Sequence, residues 1–293
     1  MMNRIRKITL MITGALFMWF VFSDGAMAYW VVITGYAHSE FGSYAGGGNS
    51  DDKSVATGEL TQMTESWYAS THASGPSGSA DTTVNLINTL GHVRGEIVGT
   101  AMIDPEDTTG TMTRATGFAQ GEWLENFTIT SSTLPAGTPV DIYLGLWLSS
   151  TIDYDGPVDE ATGVRAWVSP HGSLPLVLER NYSPGTVTLS ASTVLTGYTV
   201  GSVLTVDGAM SVEGYTYASN ISGDDNYDFG SVVVQALNSA VFGIEVLTPG
   251  AGYTSESGTV YPTTAVPLPG SALLLISGAI GWWVYRKRRR YNS

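Results

Sequence analysis

The residue types with the most chemical potential in this chain are carboxylates, and they fall in two clusters. Asp153, Asp155 and Asp159 lie in Asp153-Tyr154-Asp155-Gly156-Pro157-Val158-Asp159-Glu160, and Asp224, Asp225 and Asp228 lie in Gly223-Asp224-Asp225-Asn226-Tyr227-Asp228. Carboxylates alternating across a turn supply the hard oxygen ligands that calcium requires. The first cluster departs from an EF-hand, because Gly156 falls too early and Pro157 stiffens the loop. The competing expectation for both clusters is a solubilising turn, since Asp, Asn and Gly are the residues that turns favour. A further pair, Glu122 and Glu125, raises glycoside hydrolysis, which needs two carboxyls facing each other at about 5–10 Å across a cleft. Three positions apart on a strand, they point to opposite sides and are expected at the surface. His38, His72, His92 and His171 are dispersed, without the spacing that fixes a metal, and are expected at the surface or at strand edges. No nucleophile elbow, phosphate-binding loop or dinucleotide glycine pattern occurs. The chain has no cysteine, which excludes thiol nucleophiles and thiolate ligands. No catalytic residue is assigned, and a non-enzyme is expected.

The elements that must carry these residues are strands. In the run from Asp141 to Leu148, the residues Ile142, Leu144, Leu146 and Leu148 share one face, and Thr186–Ala191 alternates in the same way. Trp123, Phe127 and Ile129 are in phase, with Thr128 and Thr130 opposite. Ser231–Val234 and Val241–Leu247 read as two more deeply buried strands. Pro135-Ala136-Gly137, Ser183-Pro184-Gly185 and Pro249-Gly250-Ala251-Gly252 punctuate the runs. Ser and Thr together number 64 of the 293 residues, which suits solvated strand faces. The expected fold is all-β, an antiparallel β-sandwich of jelly-roll type, held without disulfides by core burial alone. Trp67, Trp123, Trp147 and Trp167 are expected to pack in its core. Residues 37–83, rich in Gly, Ser, Ala and Thr, read either as a long variable loop or as low-complexity strands. A short, poorly capped helix is expected around Glu59–Ala69.

Both ends of the chain read as addresses. Arg4, Arg6 and Lys7 precede an apolar run from Ile8 to Phe22, and Ala26-Met27-Ala28 supplies small residues at a cleavage point. Residues 1–28 thus form an expected secretory signal peptide, removed by signal peptidase between Ala28 and Tyr29; an uncleaved N-terminal anchor is the alternative. Near the other end, Val266-Pro267-Leu268-Pro269-Gly270 precedes an apolar stretch over residues 271–285 and the basic cluster Arg286, Lys287, Arg288, Arg289 and Arg290. Two prolines fix the start of a helix that rises about 22 Å, short of the roughly 30 Å hydrocarbon core. Snorkelling cations and the Trp282-Trp283 pair at the headgroup level accommodate that mismatch. The expectation is one transmembrane helix with its basic end in the cytoplasm and residues 29–262 outside.

The order Pro-x-Pro, apolar helix and Arg-rich terminus over residues 266–290 resembles the PEP-CTERM sorting domain of Gram-negative bacteria. Leu268 stands where the namesake Glu stands, and the Val-Pro-Leu-Pro-Gly form is similar to a variant of that family. The resemblance implies that residues 263–293 are a sorting tail, recognised by an exosortase-like membrane transpeptidase in a species that makes exopolysaccharide. It further implies cutting near the proline motif and passage of the ectodomain to the cell surface or extracellular matrix. A Gram-positive sortase signal and a plain tail anchor are the alternatives; Ser271 and Ala272 stand where the sortase signal needs Thr and Gly. The stretch from Asp228 through Gly250 to Gly258 loosely resembles the end of ectodomains that accompany this tail, and implies a closing strand pair.

Charge sharpens the reading. The chain carries 13 Lys and Arg against 26 Asp and Glu, a formal −13. The leader holds three cations and one acid and the tail five cations, which leaves five cations against 25 acids between them, a formal −20. Such a surface excludes nucleic acid as a partner and repels anionic polymers unless divalent cations bridge them. The expected function is a structural or adhesive protein of an exopolysaccharide matrix or envelope. The alternative is a carbohydrate-binding module, calcium-assisted, and the third reading is a glycoside hydrolase.

Overall fold

A computed structural model of the chain describes residues 29–43, 48–60, 63–106, 110–171, 173–220 and 227–263. Thirteen strands occur among them: β1 (Tyr29–Ser43), β2 (Gly48–Leu60), β3 (Thr64–Gly75), β4 (Gly78–Thr89), β5 (His92–Ile103), β6 (Thr111–Ser131) and β7 (Pro139–Asp155), then β8 (Gly163–Pro170), β9 (Leu176–Asn181), β10 (Gly185–Thr199), β11 (Val203–Ser219), β12 (Phe229–Val246) and β13 (Ala251–Ser255). All pairings are antiparallel. The first sheet runs β2-β1-β6-β11-β8-β9, with β13 on β6, and the second runs β10-β7-β12-β5-β4-β3. No helix among the described residues is long and apolar enough to cross a membrane. The sorting motif Val266–Gly270, the stretch 271–285, the cations Arg286–Arg290, the leader with Ala26 and Ala28, and Asp224 and Asp225 lie outside the described residues.

Period-two alternation decides which side of each strand is dry. Ile142, Leu144, Leu146 and Leu148 on β7 are buried, as the sequence predicts, and belong to one continuous core with Leu204, Val206, Met210 and Val212 of β11. On β6 the inward positions are Ala115, Gly117, Ala119, Gly121, Trp123, Glu125, Phe127 and Ile129. Their small members draw the sheets together: a Cβ on Gly117 would sit 2.8 Å from Ile97 Cγ2, and one on Gly121 2.7 Å from Val93 Cγ1. The close approach leaves no water layer between the sheets, and each buried side chain of Leu or Ile size contributes about 2 kcal/mol by desolvation.

Several expectations are corrected. The expected helix at Glu59–Ala69 is strand where it is described: β2 runs through Leu60 and β3 starts at Thr64. The Thr-rich and β-branched composition on either side favours strand, and no capping residue opposes it. Of the two readings of the Gly- and Ser-rich span 37–83, its described residues take the strand one, forming β1 to β4 apart from Met63 and the turn at Pro76 and Ser77. Ser231–Val234 and Val241–Leu247 are not two strands; residues 231–246 belong to β12, whose register shifts between Ala236 and Ala240. The closing strand is β13, and it pairs with β6 in the first sheet rather than with β12.

The two lateral sides of the sandwich are finished differently. On one side β2 and β3, the edge strands of the two sheets, are tied together by polar side chains. Asn49 Nδ2 donates to Ser74 O at 2.7 Å, the His72 amide to Asp51 Oδ2 at 3.2 Å, and Lys53 Nζ to Ser70 O. On the other side Arg180 of β9, 6% exposed, donates to Ser150 O at 2.6 Å and to Ser183 O and Gly185 O at 2.7 Å. This clamp ends where β10 begins.

Candidate functional site

Parity gives the outer face of the first sheet a continuous strip of polar and aromatic side chains. It is laid down by Tyr36, His38 and Glu40 on β1, Arg114, Thr116, Phe118, Gln120 and Glu122 on β6, and Asp207, Ser211, Glu213, Tyr215 and Tyr217 on β11. Tyr36 stacks on Phe118, its cross-strand partner, at 5.9 Å between ring centroids. The Arg114 guanidinium lies 5.6 Å from the Tyr215 ring centroid and 3.4 Å from Glu40 Oε2. Glu40 also meets His38, whose Nδ1 lies 2.5 Å from Asp52 Oδ1. Tyr217 follows, 6.0 Å from Tyr215 and 6.2 Å from Tyr227. Burial pushes the Tyr36 phenol up to about 12, helped by the negative charges of Glu213 and Asp159, so it is a neutral donor at every physiological pH.

A second group lies further along the same face. Glu122 and Asp207 are diagonal neighbours on adjacent strands, since Glu122 pairs with Ala209. Trp167 flanks Ala209 from β8. Gln120 Nε2 donates to Glu122 Oε1 at 2.5 Å. Burial raises the Glu122 carboxyl above its ordinary range; the Gln120 bond works against that shift and Asp207 adds to it. Asp207 is raised too, again by burial, with its own backbone amide and His171 opposing. Half-buried carboxylates that share one face and stand above their usual range are a recognisable acid–base arrangement.

Glu125 is the residue the sequence places wrongly. It is fully buried rather than at the surface, because it shares inward parity with Trp123 and Phe127. Its Oε1 accepts from the Ser257 amide at 2.9 Å, and its Oε2 from Ser257 Oγ at 2.6 Å and Tyr261 Oη at 3.0 Å. Desolvation and the adjacent carboxylate drive the Tyr261 phenol far above its ordinary value. Glu122 and Glu125 therefore do not meet: one faces outward and one inward, and Glu125 is a structural anchor. The phase of Trp123, Phe127 and Ile129 contained this information, for position 125 is in step with them.

The remaining candidates resolve by geometry. Asp153 and Asp155 are exposed at the end of β7, and Asp159 lies in the following turn, where Oδ1 accepts from the Ala161 amide at 2.8 Å. Asp228 is exposed and its backbone oxygen accepts from the Ile103 amide at 2.9 Å. Among the described residues no three or more carboxylates or imidazoles gather as a metal-binding group. His38 and His72 pair with Asp52 and Asp81 near the β2–β3 side, and His171 is exposed. His92 departs from the surface expectation: burial, then Arg94, lowers it to about 4. Trp123 is buried; Trp67 lies over Gly35 and Trp147 over Gly145, both half-buried, while Trp167 faces outward. No protein-family model matches the chain, and no curated protein sequence matches it.

Proposed function

We propose that this chain is a secreted, surface-displayed β-sandwich of jelly-roll type, structural or adhesive in an exopolysaccharide or envelope setting and sorted by an exosortase-like enzyme. The observation that carries the reading is the fit between the fold and the two addresses. Tyr29, the residue after the expected cleavage point, already occupies a ladder position against Glu125. At the other end Tyr261 is buried and Pro262 O accepts from the Ile244 amide at 3.2 Å, so the sandwich is tied down to the last residue before the proposed tail. From β5 onward successive strands or hairpins alternate between the two sheets, which supports the jelly-roll type. Pro267, Leu268, Pro269 and Gly270 are the recognition signal, Arg286–Arg290 the stop, and residues 271–285 the transmembrane helix of the precursor. The species is a Gram-negative bacterium. Replacing Pro267 and Pro269 with Ala is expected to trap an unprocessed membrane form; mass spectrometry that finds the Arg-rich tail on the wild-type surface protein refutes the processing.

The outer face of the first sheet favours a second reading, in which adhesion is carbohydrate binding. Stacked Tyr36 and Phe118, with Arg114, Gln120 and Glu122 beside them, offer ring faces and planar hydrogen-bonding groups of the kind that sugars meet. Calcium enters as a bridge between this chain's carboxylates and an anionic polymer. Retention on an immobilised neutral glucan and on a polyuronate tests this. Loss of glucan retention in Tyr36→Ala supports the face; equal retention of wild type and variant removes it. Release of reducing ends that disappears in Glu122→Gln would favour the hydrolase reading instead.

A further inference from the structure

Besides the five-residue β13, which pairs with β6 alone, four strands end the two sheets among the described residues, and three of the four carry charge. β2 has Asp51, Asp52 and Lys53, β3 has Glu65 and His72, and β9 has Glu179 and Arg180. β10 spans 15 residues, Gly-Thr-Val-Thr-Leu-Ser-Ala-Ser-Thr-Val-Leu-Thr-Gly-Tyr-Thr, without one ionisable acid or base among Asp, Glu, Lys, Arg and His, and without proline. It ends the second sheet, so among the described residues one edge pairs with β7 and the other with no strand. Its register against β7 is unbroken from Gly185 to Leu195 and shifts only between Leu195 and Tyr198. Along those 11 residues, about 36 Å, the backbone donors and acceptors that point away from β7 form an open edge, apart from Gly185 O, which accepts from Arg180 Nη2. Natural sheets blunt such edges with charge, proline or bulges, and this run has none of them.

The surroundings extend the neutral zone. The β7 partners of this run, Ile142 to Ile152, are also without charge, and Asp141 and Asp153 flank them on either side. On β10 Leu189, Ala191 and Leu195 lean on the core, whereas Thr188, Ser190, Ser192 and Val194 face outward, Val194 at 50% exposure. Residues 29–262 carry a formal −20, so two copies repel each other over most of their surface. The neutral strip is where that repulsion is least. What it offers is backbone, and backbone is satisfied by another strand rather than by a sugar or an ion.

We propose that β10 is a homotypic docking edge: two copies of this chain pair their β10 strands antiparallel about a two-fold axis, joining two second sheets into one continuous sheet. The contact is isologous, since the same strand serves both partners, and it closes at the dimer. Its small area makes it weak in dilute solution and effective when copies are concentrated on a surface. The association is independent of the sorting and sugar-binding readings, for it uses neither the tail nor the outer face of the first sheet.

The absence of cysteine provides the test. Single cysteines at Thr188, Ser190 or Ser192 in the full chain, solubilised in mild detergent and oxidised, are expected to give disulfide-linked dimers, with one position favoured by its closeness to the axis. Ser54→Cys, exposed on β2, is the control and is expected to stay at least tenfold less cross-linked. Sedimentation should show a concentration-dependent dimer that the double variant Ser190→Lys, Ser192→Lys shifts at least tenfold toward monomer. A chain that stays monomeric to millimolar concentration with unreactive β10 cysteines overturns the proposal. So does a control that cross-links as fast, or a dimer of the lysine variant that persists unchanged. Should the lysine variant fail to fold, the cysteine series decides alone.

Discussion

Glu122 and Glu125 stand three residues apart on β6, and the sheet separates them. Glu122 lies on the half-buried outer face, where the neutral amide of Gln120 donates to it and Asp207 is a like-charged neighbour. Glu125 lies inside the sandwich and receives three donors, two from Ser257 and one from Tyr261. Around the second, Phe127, Phe242 and Tyr261 form a ring cluster with centroids 5.2–5.9 Å apart. Gly91, at φ +69°, is the one residue that fits beneath Tyr261, since a Cβ there would lie 2.3 Å from its ring. A carboxylate in the interior is tolerable when its lone pairs are filled, and costly when they are not. At the outer face an incompletely matched carboxylate survives, because water remains within reach. The interior acid ties the last residues of the sandwich to β6, and the exterior one stays within reach of solvent.

The largest expected effect tests the interior member. Glu125→Ala should lower stability by about 3 kcal/mol or more, because it leaves the Tyr261 hydroxyl buried without its acceptor and removes two bonds from half-buried Ser257. Denaturant unfolding measures it, and a loss under about 1 kcal/mol would erase the contrast between the two acids. Tyr261→Phe keeps the ring packing and removes one donor, so a loss of about 1–2 kcal/mol is expected in the same assay. A smaller effect concerns pH on the interior side, where His92 adjoins the Gly91 turn. Its folded value of about 4 lies below the 6.5 of an unperturbed imidazole. The native state therefore prefers the neutral ring: stability is full above pH 6.5 and declines as the pH falls toward 4. His92→Gln should flatten the melting temperature across that window; an unchanged slope contradicts the assignment.

The smallest effect belongs to the exterior acid and has the opposite sign. Glu122 is raised in the fold, so the native state binds its proton more tightly than the unfolded chain does. Its carboxyl favours folding at acid pH and opposes it as the pH rises through and above the ordinary value of 4.5. Glu122→Gln should therefore raise the melting temperature slightly at pH 7 and leave it nearly unchanged near pH 4. A drop at pH 7 would mean that Glu122 is as firmly anchored as Glu125.

Much of this architecture was legible because strands announce themselves by alternation. The β7 run and the turns at Pro135-Ala136-Gly137 and Ser183-Pro184-Gly185 follow directly from spacing and from glycine and proline chemistry. The inner face of β6 was less legible, since Ala115, Gly117, Ala119 and Gly121 alternate by size rather than by hydrophobicity. Glu125 reads as a surface acid by residue type, whereas its phase with Trp123 and Phe127 is inward. The candidate face was hidden for a different reason: Tyr36, Phe118 and Tyr215 come from three strands, and only their pairing makes them one surface.

Composition and order alone determined that the middle of the chain would be built mainly of strands, that it would hold together without disulfides, and that it would be strongly acidic. These are properties of local propensity, thiol count and charge, each additive along the sequence. Tertiary structure decided what depends on which strands meet. It turned Glu125 inward onto Ser257 and Tyr261, sealed β2 against β3, left β10 open, and assembled the aromatic and carboxylate strip. Those outcomes rest on contacts between residues up to 136 positions apart, as in Tyr261 with Glu125, and no local pattern encodes them.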